Sequence, residues 1–560
     1  MNQRSRIASL LLVGAIAASG LAARGGGQQT GTYGSTLTAP PVGSRLCPGG
    51  ADASQLVSPY TTAALAQAAF PANGTPITVA AGDNSSVIGQ NSPIANTTYY
   101  LLAGTHTVGL GQYNQIIPKV NDVFVGAPGA VLSGQNSNNY ATTGSAAGVT
   151  VEYLEVTGFA SGQDSGALNL DGASNFTAEY DYIHNNAGAG IMGGINLTIQ
   201  HNCISDNGQY AANIYCGSCN ILTGQPNLKM DYNELARNDT LNYDHVGGPS
   251  GGPGCGCAGA VKFWNVRGAS VTNNYVHDNN DTGLWADTNN TGFDFENNWI
   301  SGNWAEGLFY EISYNTYIHN NVLLDNAWGG GAGPYGPGFP YPSMYISESG
   351  ADSRVSPTTC GTFNCGATLD ISNNTFTDNW GGVTLWENSN RWCGAPAQPS
   401  ADCPLGNQAV ATKANCTNAA LLPTAPYVTE CRWRTMNVAV HNNIFNITKA
   451  NVTGCTHSSF MCGYNALMSN WGTSQISGDP YVGNYVANNI MYNQNNTFSN
   501  NQYGAGSYWC FDVFLQGNST QWPTWIAGPD SRGAQYWGAS AYNQDAGSLY
   551  TAPNTDCTTS

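Results

Sequence analysis

Basic side chains are scarce in this chain: 16 Lys plus Arg stand against 34 Asp plus Glu over 560 residues, a formal net charge of -18 at pH 7. No Lys/Arg run exists that would neutralise a phosphate backbone, so nucleic acid is a poor partner, and a strongly polyanionic glycan is disfavoured for the same reason. Charged residues reach only 9% while aromatics reach 11%, a balance suited to stacking on neutral rings rather than gripping charges. Beyond the first residues, the chain also lacks any apolar stretch approaching the ~20 residues needed to cross a bilayer, which argues against membrane insertion. Tryptophan is missing from the whole first part, and all 14 lie at or beyond Trp264.

The start of the chain reads differently. Arg4 and Arg6 precede an apolar run from Ile7 to Ala18 and small residues ending at Ala22 and Ala23, the layout of a secretory signal peptide. Arg24 stands where a lipoprotein would need Cys, so the expectation is a soluble, secreted, extracellular mature protein. The 16 cysteines are even in number, and most fall in close pairs: Cys216/Cys219, Cys255/Cys257, Cys360/Cys365, Cys393/Cys403, Cys416/Cys431 and Cys455/Cys462. Together with the leader, this favours disulfide-tied loops. A zinc site is the weaker reading, because no matched histidines stand at finger spacing. Spacing leaves the connectivity open.

One pattern returns along the chain: Asn, any residue, an apolar residue, two more residues, Asn. It appears as Asn202-Ile204-Asn207, Asn233-Leu235-Asn238, Asn274-Val276-Asn279, Asn298-Ile300-Asn303, Asn321-Leu323-Asn326 and Asn374-Phe376-Asn379, with Asp181-Ile183-Asn186 ahead of them. Recurrence at fixed offset marks a solenoid. Where no loop intervenes the period is 21 residues (Asp181 to Asn202), 24 (Asn274 to Asn298) or 23 (Asn298 to Asn321). That is too short for a pair of helices, and the flanking segments alternate like strands, as in Phe293-Asp294-Phe295 and Leu369-Asp370-Ile371. Parallel strands stacked as coils fit, with the asparagines superposed at the ~4.8 Å strand spacing and bonded up and down a ladder. The asparagines are accordingly read as ladder and turn residues. His184, His201, His277, His319 and His441, in register with them, are read the same way.

Ser58-Pro59 and the Ala-rich run Tyr60 to Phe70 predict a short helix capping the first coil, and the last segment, with Trp522, Trp525 and Trp537, is expected to cover the other end. The expected organisation is a leader at 1–23, a flexible linker at 24–56, a β-helix at 57–515 and a capping segment at 516–560. The sequence also resembles the bacterial secreted right-handed β-helix proteins of the pectate-lyase-like superfamily. The resembling stretches are TYYLLAGTHTVG and IIPKVNDVFVGAPGAVLSGQ between Thr98 and Gln135, VKFW, NNYVHDN, GLWAD and GLFYEISY between Val261 and Tyr314, and QDAGS at Gln544 to Ser548. The resemblance implies an all-β, single-stranded right-handed parallel β-helix. It names no reaction, because that superfamily holds lyases, hydrolases, epimerases and proteins without known activity.

Each coil also carries a strand led by glycine. Aligned on the glycines, GAVKFW at Gly259, GLWADT at Gly283 and GLFYEI at Gly307 place Phe263, Asp287 and Glu311 in one column, Val261, Trp285 and Phe309 in another, and Lys262, Ala286 and Tyr310 between them. A coarser alignment puts Glu348 one coil further on and Glu387 beyond it. Long insertions before and after this strand wall the strip, making it the expected floor of a groove. Two acids on adjacent coils lie roughly 5 Å apart at the backbone, the spacing of a retaining glycosidase pair for Asp287 with Glu311, whereas Asp287 with Glu348 suits the wider inverting geometry. The bland alternative is that these acids accept backbone hydrogen bonds or bind calcium structurally. Lys262 can serve as a base or as an electrophile toward a uronate, or simply face solvent; His245 is singled out because it lies in the inserted loop before Lys262.

The leading expectation is therefore a secreted enzyme that hydrolyses an extracellular polysaccharide. Asp287, Glu311, Glu348, Lys262 and His245 are its candidate catalytic groups, and Trp264, Trp285, Tyr310, Trp386 and Glu387 its substrate contacts. This chemistry requires no cofactor, and structural calcium is the one addition the acids allow. A uronate-cleaving lyase is the second reading and a noncatalytic adhesive or glycan-binding rod the third.

Overall fold

The computed structural model describes residues 33–215, 228–246, 248–251, 257–332, 341–353, 359–360, 363–366, 368–387, 415, 418, 420–421, 424–427, 434–456, 459, 461–469, 489–504, 509–515, 519–528 and 540–551. Within them the strands form three long sheets of 13, 14 and 12 strands, and a complete coil contributes one strand to each. A representative coil runs from Arg267–Thr272 in the first sheet through Tyr275–His277 in the second to Leu284–Asp287 in the third, then returns to the first at Thr291–Glu296. Stacked strands pair in parallel, and crossovers between parallel strands take the right-handed sense. The chain is a right-handed parallel β-helix.

Alternation along each strand sends one set of side chains inward and the other out. Inward residues stack into columns: Val271, Phe295, Ile318, Ile371, Val440 and Phe498 in the first sheet, and Val276, Ile300, Leu323, Phe376, Phe445 and Tyr503 in the second. All of these are buried. Such a core grows only coil against coil, so every coil depends on its neighbours for burial.

The asparagine pattern forms two internal ladders. Between the first and second sheets, Asn298 Nδ2 donates to Val271 O (2.8 Å) and Asn321 Oδ1 (3.0 Å), while Asn298 Oδ1 accepts from the Asn274 amide and Asn274 Nδ2, both at 3.0 Å. The same exchange links Asn202, Asn233, Asn274, Asn298, Asn321, Asn374, Asn443 and Asn501. A second ladder at the next turn links Asn186, Asn207, Asn238, Asn279, Asn303, Asn326 and Asn379. Aspartates stand at both ends of the first ladder. Asp181 Oδ1 takes the Leu154 amide at 2.8 Å, and Asp545 takes Asn501 Nδ2 at 2.9 Å, Tyr503 OH at 2.7 Å and Trp525 Nε1 at 2.6 Å.

The residue just before each rung of the first ladder has a separate task. Asn273, Asn297 and Asn320 adopt φ of 56°, 54° and 57°, the left-handed region that asparagine tolerates better than most residues. In earlier coils Tyr180, His201 and Tyr232 hold this conformation, and their rings stack with centroids 4.9 and 5.2 Å apart.

Two expectations about the N-terminal part change. From Tyr33 onward, the segment expected to be a flexible linker is an ordered strap that crosses the coils in reverse order. The Gly34 amide donates to Asn442 O (2.9 Å), the Ser35 amide to Thr375 Oγ1 (2.9 Å) and the Cys47 amide to Glu234 Oε2 (2.7 Å), and a disulfide ties Cys47 to Cys203. The helix spans Ala63–Ala69 with Thr62, not Ser58, as its N-cap, and Ala66 packs with Tyr100, Val123, Val125 and Ala127 on the outer flank of the first sheet. At the other end, helix Trp522–Ala527 stacks Trp525 on Phe511 at 4.6 Å. Cys360–Cys365 and Cys455–Cys462 are disulfides. The leader, the pairs at Cys216/Cys219, Cys393/Cys403 and Cys416/Cys431, Cys255 and Trp537 lie outside the described residues.

The two asparagine positions separate experimentally. Asn298→Ala strands several buried polar groups and is expected to destabilise the fold by about 3 kcal/mol, the cost of one or two such groups. Asn297→Gly keeps the left-handed backbone and should shift the melting temperature little. Thermal and denaturant unfolding of both variants, read side by side, checks this.

Candidate active site

The third sheet supplies the candidate site through five neighbouring strands: β1 (Gly259–Trp264), β2 (Leu284–Asp287), β3 (Leu308–Glu311), β4 (Met344–Ser347) and β5 (Val383–Glu387). Val261 pairs with Leu284, Lys262 with Trp285, Phe263 with Ala286 and Trp264 with Asp287. The glycine-anchored alignment is therefore off by one residue in β1. Val261 and Phe263 are inward and buried, so β1 holds one extra residue between its glycine and its first core side chain. A slip of one residue exchanges the two faces of a strand, and the corrected register turns Lys262 and Trp264 outward. In β2 and β3 the expected pairs stand: Trp285 with Phe309, Ala286 with Tyr310, and Asp287 with Glu311.

On the outer face the side chains form two files. One runs Lys262, Trp285, Phe309, Tyr345 and the other Trp264, Asp287, Glu311, Ser347. The rings of Trp285 and Phe309 stack at 5.5 Å, and those of Phe309 and Tyr345 at 4.5 Å. Lys262 Nζ lies 3.0 Å from Asp287 Oδ2 and 3.9 Å from the centre of the Trp285 ring. Asp287 Oδ1 accepts from Thr288 Oγ1 at 2.7 Å, so both of its oxygens are held. Glu311 Oε2 accepts from Trp285 Nε1 at 3.1 Å. Trp264 is 42% exposed and open to a ligand.

Other expected site residues are placed elsewhere. Tyr310 points into the core, fully buried, with its hydroxyl donating to Tyr314 O at 2.9 Å, so it cannot line a groove. Trp386 continues the outer file but is buried with Tyr345, Met461, Tyr464 and Met468. Glu387 ends β5 as a buried acceptor for the Thr435 amide (3.1 Å) and Gln494 Nε2 (2.5 Å), and burial pushes its carboxyl up to about 7. Glu348 lies in the turn after β4, fully buried at φ 46° and accepting from Ser347 Oγ. Ser347, not Glu348, neighbours Glu311 on the floor, which removes the wider Asp287–Glu348 pair. His245, in a short turn of helix at Tyr243–Val246, pairs Nδ1 with Asn242 Oδ1 (2.8 Å), sits 3.6 Å from Asp244 and packs edge-on against Trp304.

A second group of acids, unread in the sequence, borders the strip. Asp281 and Glu306 lie just ahead of β2 and β3, both buried, and Thr282 Oγ1 donates to Glu306 Oε2 at 3.3 Å. Burial, reinforced by the charges of Asp244, Asp239 and Glu306, raises Asp281 well above the carboxylate range. Burial also pushes Glu306 up to about 7, with Asp244 and Glu311 adding to it, and Asp239 up to about 8, with Asp244 adding to it. The hydroxyl of Tyr210 is fully buried and without a hydrogen-bond partner, and burial, reinforced by the charges of Asp164, Asp281, Asp287 and Asp244, raises it well above the phenol range. Asp239 and Asp281 follow ladder asparagines and pass for turn residues; extending the column search upstream of Gly283 and Gly307 would have exposed Asp281 and Glu306.

A set whose ligand atoms lie within 4.8 Å of one another occurs on a different face. Asp294, Glu296 and His319 stand together on the first sheet, where His319 Nε2 meets Asp294 Oδ1 at 3.0 Å.

Residues 222–337 match the family model described as a right-handed beta helix region. Among solved structures, the A-module of the Azotobacter vinelandii mannuronan C-5 epimerase AlgE6 is similar at 14% identity and TM-score 0.35, covering 58% of this chain and 90% of that one. The PL6 family alginate lyase AlyGC is similar at 12% identity and TM-score 0.37, covering 77% of this chain and 52% of that one. Superpositions this loose carry no statement about the reaction. No curated protein matches the chain. The fold that the family model and the sheet topology share is the right-handed parallel β-helix.

The buried acids set a pH dependence. A carboxyl raised on folding stabilises the fold below its unfolded pKa, and that contribution is lost as the pH rises through the folded value, here about 7 for Glu306 and about 8 for Asp239. The melting temperature should therefore fall between mildly acidic and mildly alkaline solution. The double variant Asp239→Asn, Glu306→Gln, with neutral isosteres in place, should flatten that fall; calorimetry across the range checks it.

Proposed function

We propose that the protein is a secreted carbohydrate-active enzyme that seats a polysaccharide on the outer face of the third sheet and cleaves it by acid–base glycoside hydrolysis. The observation that carries this reading is the pairing of Asp287 with Glu311 on adjacent coils, on one outward face, beside a file of aromatic rings. Stacking on Trp264 and along the Trp285 edge would hold sugar rings, since indole faces match the apolar faces of pyranoses. Asp287, held by Lys262 and Thr288, serves as nucleophile or base; Glu311, which accepts from the Trp285 indole, serves as the proton donor. Neighbouring strands lie ~4.8 Å apart, and carboxyls ~5 Å apart belong to the retaining mechanism. Disulfides, with no helix among the described residues long and apolar enough to cross a membrane, support release from the cell.

One observation favours a second reading. Lys262 stands on the same face, 3.0 Å from Asp287, where an ammonium could neutralise a uronate carboxylate during a lyase elimination. That role requires Lys262 to leave Asp287. Reducing-end release without unsaturated products supports hydrolysis, and ultraviolet-absorbing unsaturated ends support the lyase.

Asp287→Asn and Glu311→Gln should each lower turnover by at least ~10²-fold, the scale of a positioned acid or base, with melting temperature unchanged or raised in Glu311→Gln and lowered in Asp287→Asn, which takes the counter-charge from Lys262. Activity kept near wild type in either variant, or lost in Glu311→Gln only together with a cooperative drop in melting temperature, would sink the acid pair. Proton NMR of the first-formed product should show retained anomeric configuration.

A further inference from the structure

We infer that Asp294, Glu296 and His319, on the outer face of the first sheet, form a site for a transition-metal ion of the Zn2+ kind, bridging two neighbouring coils. The site is separate from the third-sheet strip and does not depend on the polysaccharide reading. Asp294 and Glu296 stand two residues apart on the strand Thr291–Glu296, facing outward because Phe293 and Phe295 fill the core positions beside them. His319 ends the strand Tyr314–His319 on the next coil, directly opposite Glu296. Ligand atoms of all three fall within 4.8 Å of one another.

A repeated feature of the solenoid shows what is unusual here. Among the described residues, four histidines reach back diagonally to an acid on the preceding coil: His184 to Glu155 at 3.2 Å, and His277 to Glu234, His319 to Asp294 and His441 to Asp370 at 3.0 Å each. The residue directly opposite the histidine is Thr157, Ala236 and Ser372 in three of them, and Glu296 at His319. The diagonal pair is thus complete without an acid at that position, and Glu296 is surplus to it. The Asp294 and His319 side chains keep only 6% and 4% exposure. Among the described residues Asp294 accepts one hydrogen bond, from His319, and Glu296 none, its approach to His319 Nδ1 being 3.8 Å. Two carboxylates against one imidazole leave negative charge uncompensated in a poorly solvated place, and a divalent cation compensates it.

The donor set selects the ion. An imidazole nitrogen with carboxylate oxygens suits Zn2+, whereas Ca2+ and Mg2+ sites are built of oxygen. Bonds of ~2.0–2.1 Å in a tetrahedral site put neighbouring ligand atoms about 3.3 Å apart, close to the 3.0 Å between His319 Nε2 and Asp294 Oδ1. Glu296, the most exposed of the three at 29%, closes the remaining gap by rotating its side chain and leaves a fourth position for water. Asn320 supplies the outer support: its amide lies 3.1 Å from His319 Nδ1 and, turned to present its oxygen, takes the Nδ1 proton so that Nε2 faces the metal.

Calorimetry and thermal unfolding of the chelator-treated, dialysed protein test the site with Zn2+, Ca2+ and Mg2+ as probes. One Zn2+ should bind with a Kd of about 1 μM or tighter and raise the melting temperature, with Ca2+ and Mg2+ at least about a hundredfold weaker. Glu296→Gln should weaken Zn2+ binding about tenfold or more while the metal-free melting temperature stays near wild type, a control that a misfolded variant would fail. His441→Gln, at the diagonal pair without a second acid, should leave Zn2+ affinity unchanged. Absence of saturable Zn2+ binding, Ca2+ binding as tight as Zn2+, Zn2+ affinity unchanged in Glu296→Gln, or an equal loss in His441→Gln overturns the inference.

Discussion

Everything downstream in this fold depends on one exchange: a buried asparagine that gives its amide hydrogens to the neighbouring coils and takes a backbone N–H and a side-chain N–H in return. Asn298 does this at distances between 2.8 and 3.0 Å, and the unit repeats at two of the turns of the coil. Turns that would otherwise bury unsatisfied backbone groups are thus closed by side chains. Because each rung must meet the next, insertions are tolerated only in the loops, and residues at equal distance from a rung fall into straight files. The bracketing aspartates close the first series by accepting the amides at its two ends, the Leu154 N–H at Asp181 and Asn501 Nδ2 at Asp545.

Those files are what make a site available. On the third sheet they bring Lys262, Trp264, Trp285, Asp287, Phe309 and Glu311 onto one face although they come from separate coils. The floor is short. Beyond Tyr345 the face is covered by Met461, Tyr464 and Met468, so Trp386 is core rather than subsite. Ahead of β2 and β3 it is bordered by Asp281 and Glu306, carboxyls that burial holds toward the protonated, neutral form.

The solenoid was legible because its determinant is a polar residue in an unusual place at constant offset. The pairings Asp287 with Glu311 and Trp285 with Phe309 were legible too, since β2 and β3 have equal spacing from glycine to core. β1 was misjudged by one residue because Gly259 and Gly283 look equivalent yet differ in position relative to the first inward side chain, and only burial distinguishes them. Tyr310 was misassigned for a related reason: its parity with Ala286 makes it inward, and a tyrosine whose hydroxyl reaches a backbone carbonyl sits comfortably in a core. Glu348 and Glu387 lie one residue past the outer file, Glu348 in the turn after β4 and Glu387 at the last position of β5, where a coarse alignment cannot separate floor from corner. The strap and the Cys47–Cys203 bond join residues 156 apart, a contact that no local pattern signals.

The central claim is that the register imposed by the asparagine ladders makes the outer face of the third sheet the working surface. A crystal structure with a bound oligosaccharide tests this most directly. The account predicts sugar rings against Trp264 and the Trp285 edge, with a glycosidic oxygen within hydrogen-bond reach of Glu311. Density on the asparagine turns or on the outer face of the first sheet, with the strip empty, would contradict it.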